Sequence, residues 1–137
     1  MKFIIKGKPQ GKARPRFRRI GNFVSTYTTK QTQDYENLVK NSLLEQNNDK
    51  IRANYQGKVN VSIWAYFKPN KSISKKKYLE LLGTEYTKKP DCDNISKIIL
   101  DSLNGIAYKD DSQIYKLNVE KLYSDDEYVE VEINYLD

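Results

Sequence analysis

The sequence predicts a single α+β domain with a mainly antiparallel sheet packed with helices. Three observations carry that expectation. Apolar and polar residues alternate from Val59 to Phe67, and again through Tyr115–Val119 and Val129–Tyr135, the period-two pattern of half-buried strands. Two other stretches place apolar residues three and four apart, the helical period. At 137 residues the chain fits one domain, 1–137, and no repeat, low-complexity tract or linker divides it.

Taken in order, a short strand over Lys2–Lys6 leads into "GKPQGKARPRFRRIGNF", whose Gly steps and two prolines predict an extended, irregular segment. Thr28 and Gln31 have capping-box spacing, and the helix they open runs to about Gln46. Tyr35, Leu38, Val39, Ser42 and Gln46 line one side of it. The strand Val59–Phe67 follows, then the lysine-rich "KPNKSISKKKYLELLG", read as a loop and a short helix. Next comes "KKPDCDNISKIILDSLNG", in which Ile95, Ile98, Ile99 and Ser102 share one helix face. Asp93, Lys97, Asp101 and Asn104 share the other, and Gly105 sits where a helix stops. The last two strands, joined by "SDDE", are expected to pair as an antiparallel hairpin. The order is βαβααββ.

Charge is unevenly placed. The net charge is +6, with nine Lys or Arg and no acid from Met1 to Gln33, whereas Glu120–Asp137 holds seven acids against Lys121. A basic field of this kind suits a polyanionic partner, nucleic acid first. The N-terminus has only "FII" as an apolar run, and no stretch approaches the roughly 20 apolar residues that cross a bilayer, so an intracellular, cytoplasmic protein is expected. Cys92 is the single cysteine, which leaves no internal disulfide and no multi-cysteine zinc site. There is no histidine, which excludes Ser-His-Asp and Cys-His catalysis and imidazole-ligated metals. Any chemistry falls to carboxylates, lysine or arginine, hydroxyls, or a hard metal held by oxygen.

Pro90 disfavours helix at Lys89, so the helix starts near Asp91. Asp91 as N-cap and Asp93 in the first turn then project from one helix end, and Lys97 follows Asp93 at i+4. Cys92 is expected to face elsewhere as an apolar filler. A second acidic pair, Asp110 and Asp111 in "YKDDSQI", stands at the mouth of a strand and can be aimed at that helix end if the two elements pack together. Aspartates with a lysine and no histidine form the set expected for an oxygen-ligated Mg²⁺ beside a phosphodiester. Each part has a plainer reading: a cap, a turn, a surface ion pair. The residues alone leave both readings open.

"KPDCDNISKIILDSLNG…YKDDSQI" resembles the signature of the RusA family of Holliday junction resolvases, an Asp-x-Asp-Asn with a lysine three further on and a later Asp-Asp-x-Gln. By that resemblance Asp91, Asp93 and Asp111 are the catalytic, metal-holding acids, Lys97 is the essential lysine, and Asp101 and Asp110 are secondary acids. Asn94 matches the amide of the motif, and "GKPQGKARPRF" resembles the opening of phage-type members. Cys92 stands where an aliphatic residue is common. The resemblance implies a Mg²⁺-dependent homodimeric endonuclease that nicks two strands of a four-way junction symmetrically, leaving 5′-phosphate ends. Lys8, Lys12, Arg14, Arg16, Arg18 and Arg19 are then expected to bind DNA, with Phe17 read as a core residue in preference to a wedge. The competing readings are a non-catalytic junction-binding protein and a metal-dependent nuclease for other branched DNA or RNA. A restriction-type motif fails, because Ile95-Ser96 precede Lys97.

Overall fold

The computed structural model describes residues 1–137. Its strands are β1 (Lys2–Lys6), β2 (Arg16–Ile20), β3 (Phe23–Tyr27), β4 (Lys58–Phe67), β5 (Ile114–Tyr123) and β6 (Tyr128–Leu136). The helices are α1 (Lys30–Asn47), α2 (Lys75–Leu81) and α3 (Cys92–Leu103), with single 3₁₀ turns at Asn48–Lys50 and Asp111–Gln113. No helix is long and apolar enough to cross a membrane.

β4 is the organising strand. Val59, Val61, Ile63, Ala65 and Phe67 are all buried on one of its faces, while Asn60, Ser62, Trp64 and Tyr66 on the other are only partly so. Strand order is β1-β6-β4-β5, with β6 antiparallel to both β1 and β4, and β5 parallel to β4. The sheet is thus mainly antiparallel, as expected, but the last two strands form no hairpin. β5 and β6 lie on opposite sides of β4, and the link between them passes over its end, where Ser124 N–H donates to Phe67 O at 2.9 Å. Alternation specifies which face of a strand is buried and says nothing about its neighbour.

α1 packs on β1 and α3, and α3 packs on β5, so both helices close over the apolar side of the sheet. Phe3, Ile5, Tyr35, Val39, Leu43, Ile95, Ile98, Ile99, Leu103, Val129, Val131 and Ile133 meet β4's inward side chains there. Each such large side chain, fully buried, contributes about 1.5–3 kcal/mol relative to exposure. α1 begins one residue later than the capping-box spacing suggests: Thr29 is the N-cap, its hydroxyl accepting from Thr32 N–H at 3.4 Å. The opposite side of the sheet gathers acids, since Glu120 and Glu130 flank Trp64 and Glu132 lies opposite Ser62. Lys2 stands 3.6 Å from Glu132 and 4.0 Å from Glu130.

The segment read as irregular contains a second, two-stranded sheet. β2 and β3 pair antiparallel, with Ile20 opposite Phe23 across the two-residue turn Gly21-Asn22. Gly21 has φ 58°, which a glycine supplies without strain at the first position of such a turn. The Gly-Asn pair flanked by apolar residues is itself a hairpin signal, which the expectation of an irregular segment did not include. Phe17 is 76 % exposed here, so the core reading of that residue is wrong.

Candidate active site

α3 forms because Ile95, Ile98, Ile99 and Leu103 recur at helical spacing, and all four are completely buried. That anchoring turns Asp93, Lys97 and Asp101, four apart, outward along one stripe. Asp91 is the N-cap by backbone conformation (ψ 153°), yet its side chain makes no capping hydrogen bond. Its carboxylate instead accepts from Lys89 Nζ at 3.0 Å. Asp93, in the first turn, is exposed. Two carboxylates therefore stand at the positive end of a helix, neither used to cap it. Lys97 leans the other way along the helix, its Nζ 3.9 Å from Asp101. Cys92 is exposed and free; it is not the packed filler expected.

The segment leading to the hairpin rests on this helix start. Lys12 N–H donates to Asn94 O at 2.9 Å. Gly11 comes so near that a Cβ there would lie 2.9 Å from Asn94 Cβ and 3.0 Å from Pro90 Cβ, so only glycine fits without displacing the contact. The Lys12 ammonium then turns inward, 3.2 Å from Glu36 and 3.6 Å from Asp101, with side-chain exposures of 18, 18 and 29 %. Lys12, expected among the DNA contacts, thus also ties α1 to α3. Glu36 went unnoticed in the sequence; its one signal is a position on α1 between the buried Thr32 and Val39.

Asp110 and Asp111 are held by a different device. Asp110 caps the 3₁₀ turn, its carboxylate accepting from Ser112 N–H at 3.0 Å, and the Ser112 hydrogen bonds hold its pKa below the usual carboxylate range. Gln113 Oε1 accepts from Asp110 N–H at 2.8 Å, and its Nε2 donates to Tyr55 O at 2.7 Å and Gly57 O at 2.9 Å. The glutamine thus pins the acidic turn beside the entrance to β4. Tyr108 is buried close by, its hydroxyl donating to Leu100 O at 3.0 Å. Burial first, then the charges of Asp111, Asp101 and Asp110, push its pKa far above the usual phenol value. Asp101, Asp110 and Asp111 therefore gather round the C-terminal half of α3.

The two acidic groups lie at opposite ends of that helix. β5 runs back alongside it, and Lys121, near the end of β5, donates to Lys88 O at 2.7 Å and Pro90 O at 3.0 Å, just ahead of the helix start. Asp91 and Asp101 are ten positions apart, about 15 Å along the axis at 1.5 Å per residue. Asp111 is accordingly not brought to Asp91 and Asp93 within one chain, and no three acidic side chains converge in metal-holding geometry. The donor chemistry at the helix start does fit a hard divalent ion: the unpaired carboxylate of Asp93 beside that of Asp91, whose one partner is the exposed Lys89, with no imidazole in the chain. Mg²⁺ is commonly held by one or two carboxylates plus water and substrate phosphate.

Beside the helix start, a cavity of about 470 Å³ opens between the stem of the hairpin, α1 and α3, lined among others by Lys8, Gln10, Lys12, Gln31, Lys89 and Asn94. No acid lines it. Lys89 connects it directly to Asp91. Arg14, Arg16, Arg18 and Arg19 continue the basic surface outward, all exposed and none in a salt bridge.

Two comparisons with known proteins bear on the chain as a whole. A family model described as endodeoxyribonuclease RusA matches residues 6–134, nearly the whole chain. A protein of Bacillus subtilis (strain 168), printed as "Uncharacterized protein YqaN", is 32% identical over 137 residues, covering 97% of this chain and 94% of its own length.

Proposed function

The chain belongs to the RusA endodeoxyribonuclease family, and from that premise we propose that it is a Mg²⁺-dependent endonuclease that resolves four-way DNA junctions by paired, symmetric nicks. The observation that carries this reading is the helix start of α3, where Asp91 and Asp93 stand uncapped beside a basic cavity. In the proposal these two carboxylates hold the ion. A bound divalent cation supplies an acidified water and neutralises charge developing at phosphorus. Lys8 and Lys89 hold the backbone of the scissile strand in the cavity. Lys97, exposed one turn beyond Asp93, offers its ammonium to the phosphate, and its neighbour Asp101 limits how far it can swing. Arg14, Arg16, Arg18 and Arg19 bind flanking phosphates. Asp111 belongs to the family motif, and we assign it a catalytic part despite its place at the other end of α3. A homodimer follows from the substrate: a junction offers two equivalent phosphates, and a two-fold assembly offers two equivalent sites. The products carry 5′-phosphate ends, and the place of action is the cytoplasm.

The test is a Mg²⁺ assay on a synthetic four-way junction, with fork, duplex and RNA alongside. Asp93→Asn is expected to bind the junction and to lose at least a hundredfold in nicking. Asp111→Asn is expected to lose activity comparably. Wild-type nicking by Asp93→Asn removes the site; wild-type nicking by Asp111→Asn alone removes only that residue from it. Binding with no nicking by the wild-type chain would leave a junction-binding protein.

A further inference from the structure

The β2–β3 hairpin is unexplained by the fold. None of its residues is buried, and Phe17, Phe23 and Val24 are 76, 78 and 68% exposed. A two-stranded hairpin alone is marginally stable in water. Exposed apolar groups gathered on one element belong against a partner. The register sorts them. Residues opposite one another share a face, so Arg16, Arg18, Ile20, Phe23 and Tyr27 lie on one side, and Phe17, Arg19 and Val24 on the other. Both sides interleave arginine with aromatic or branched apolar groups. The Arg18 guanidinium stands 5.5 Å from the Tyr27 ring centroid. Ile20 and Phe23 face each other at the tip, beside Gly21-Asn22.

That alternation suits unpaired nucleotides, which present an apolar ring face and a phosphate at each step. The charge argues the same way. With nine cations and no acid up to Gln33, this end of the chain repels a second copy of itself and attracts a polyanion. Intact duplex would satisfy the arginines and leave the rings in water. Bases exposed at a branch point satisfy both.

We propose that the hairpin is a stacking arm for the branch point, with Phe23 and Ile20 at the tip and Phe17 on the reverse side lying against unpaired bases, and Arg16, Arg18 and Arg19 on the adjoining phosphates. The inference rests on the chain acting on branched DNA and is independent of whether it cuts. Its stem leaves the protein at the Gly11–Asn94 contact, so a branch held on the arm lies next to the start of α3.

The experiment uses the full chain in metal-free buffer, with four-way junctions carrying 2-aminopurine at the branch point and duplex of equal length as the comparator. Wild type is expected to change the emission of the branch-point probe and to prefer the junction. The double variant Ile20→Ala/Phe23→Ala is expected to lose the emission change and about tenfold of the junction-to-duplex affinity ratio. Retention of both by that variant overturns the proposal. So does a mass in DNA-free solution half that of wild type, which makes the arm a subunit contact. Adding Mg²⁺ to the same wild-type sample separates the two readings. Absence of nicking overturns the nuclease and leaves the arm standing; nicking without the emission change overturns the arm alone.

Discussion

α3 and the β2–β3 hairpin both interleave charge with apolar residues, and the fold treats them oppositely. α3 buries Ile95, Ile98, Ile99 and Leu103 completely, so Asp93, Lys97 and Asp101 project from a fixed base. The hairpin buries no residue fully, and Phe17, Ile20, Phe23 and Val24 are all more than half exposed. Placing a carboxylate for chemistry needs an element the core holds still, whereas gripping a variable polymer needs one that can adapt. The two are joined through the hairpin's stem, where Gly11 lies close against Asn94 and Pro90, and Lys12 donates its N–H to Asn94 O and pairs with Asp101.

The comparison can be broken at its base. Ile99→Ala, in the core side of α3, is expected to lower unfolding stability by about 2–5 kcal/mol in urea titration. Val24→Ala, on the hairpin, is expected to change it by less than about 0.5 kcal/mol. Equal costs would mean that the hairpin is packed. A smaller effect separates cations that bind DNA from those that brace the fold. Arg14→Ala/Arg16→Ala is expected to weaken DNA binding and to flatten its log–log salt dependence by about two. Lys12→Ala, which releases Glu36 and Asp101, is expected to lower stability and leave that slope unchanged.

The smallest effect lies in α1. The Tyr35 hydroxyl is buried against the Gln10 backbone without a well-formed hydrogen bond, and burial pushes its pKa from 10.0 up to about 12. The folded state therefore favours the neutral phenol. Its contribution is whole below pH 10 and is lost as pH climbs towards 12. Tyr35→Phe is expected to change stability at neutral pH by less than about 1 kcal/mol. It should lessen alkaline unfolding above pH 10, followed by circular dichroism. It should not abolish it, because Tyr108 and Tyr135 are shifted the same way.

Much of this could be read from the chain. The α+β class, the strands Lys2–Lys6 and β4, and the buried stripe of α3 follow from periodicity, because burial on one face imposes it. The Asp-x-Asp-Asn motif led to the family. Two things could not be read. Pairing partners are set by tertiary packing, so β5 and β6, adjacent in sequence, came out separated by β4. Direction was the second. Asp91 and Asp111 each open an element, α3 in one case and the turn into β5 in the other, but the elements run oppositely and carry them to opposite ends. The pairing of Lys12 was hidden for a related reason: a cation in a basic run looks free until Glu36 arrives from another helix.

The acids of the outer sheet face, Glu120, Glu130 and Glu132, belong to a different part of the surface from the arginines of the hairpin. Separated charge of opposite sign gives a molecule a moment, and a polyanion's field exerts torque on it from beyond contact range. If the arm binds DNA as proposed, the protein turns before it lands, arm leading and glutamates trailing. Dilute salt should speed its arrival as well as tighten its grip.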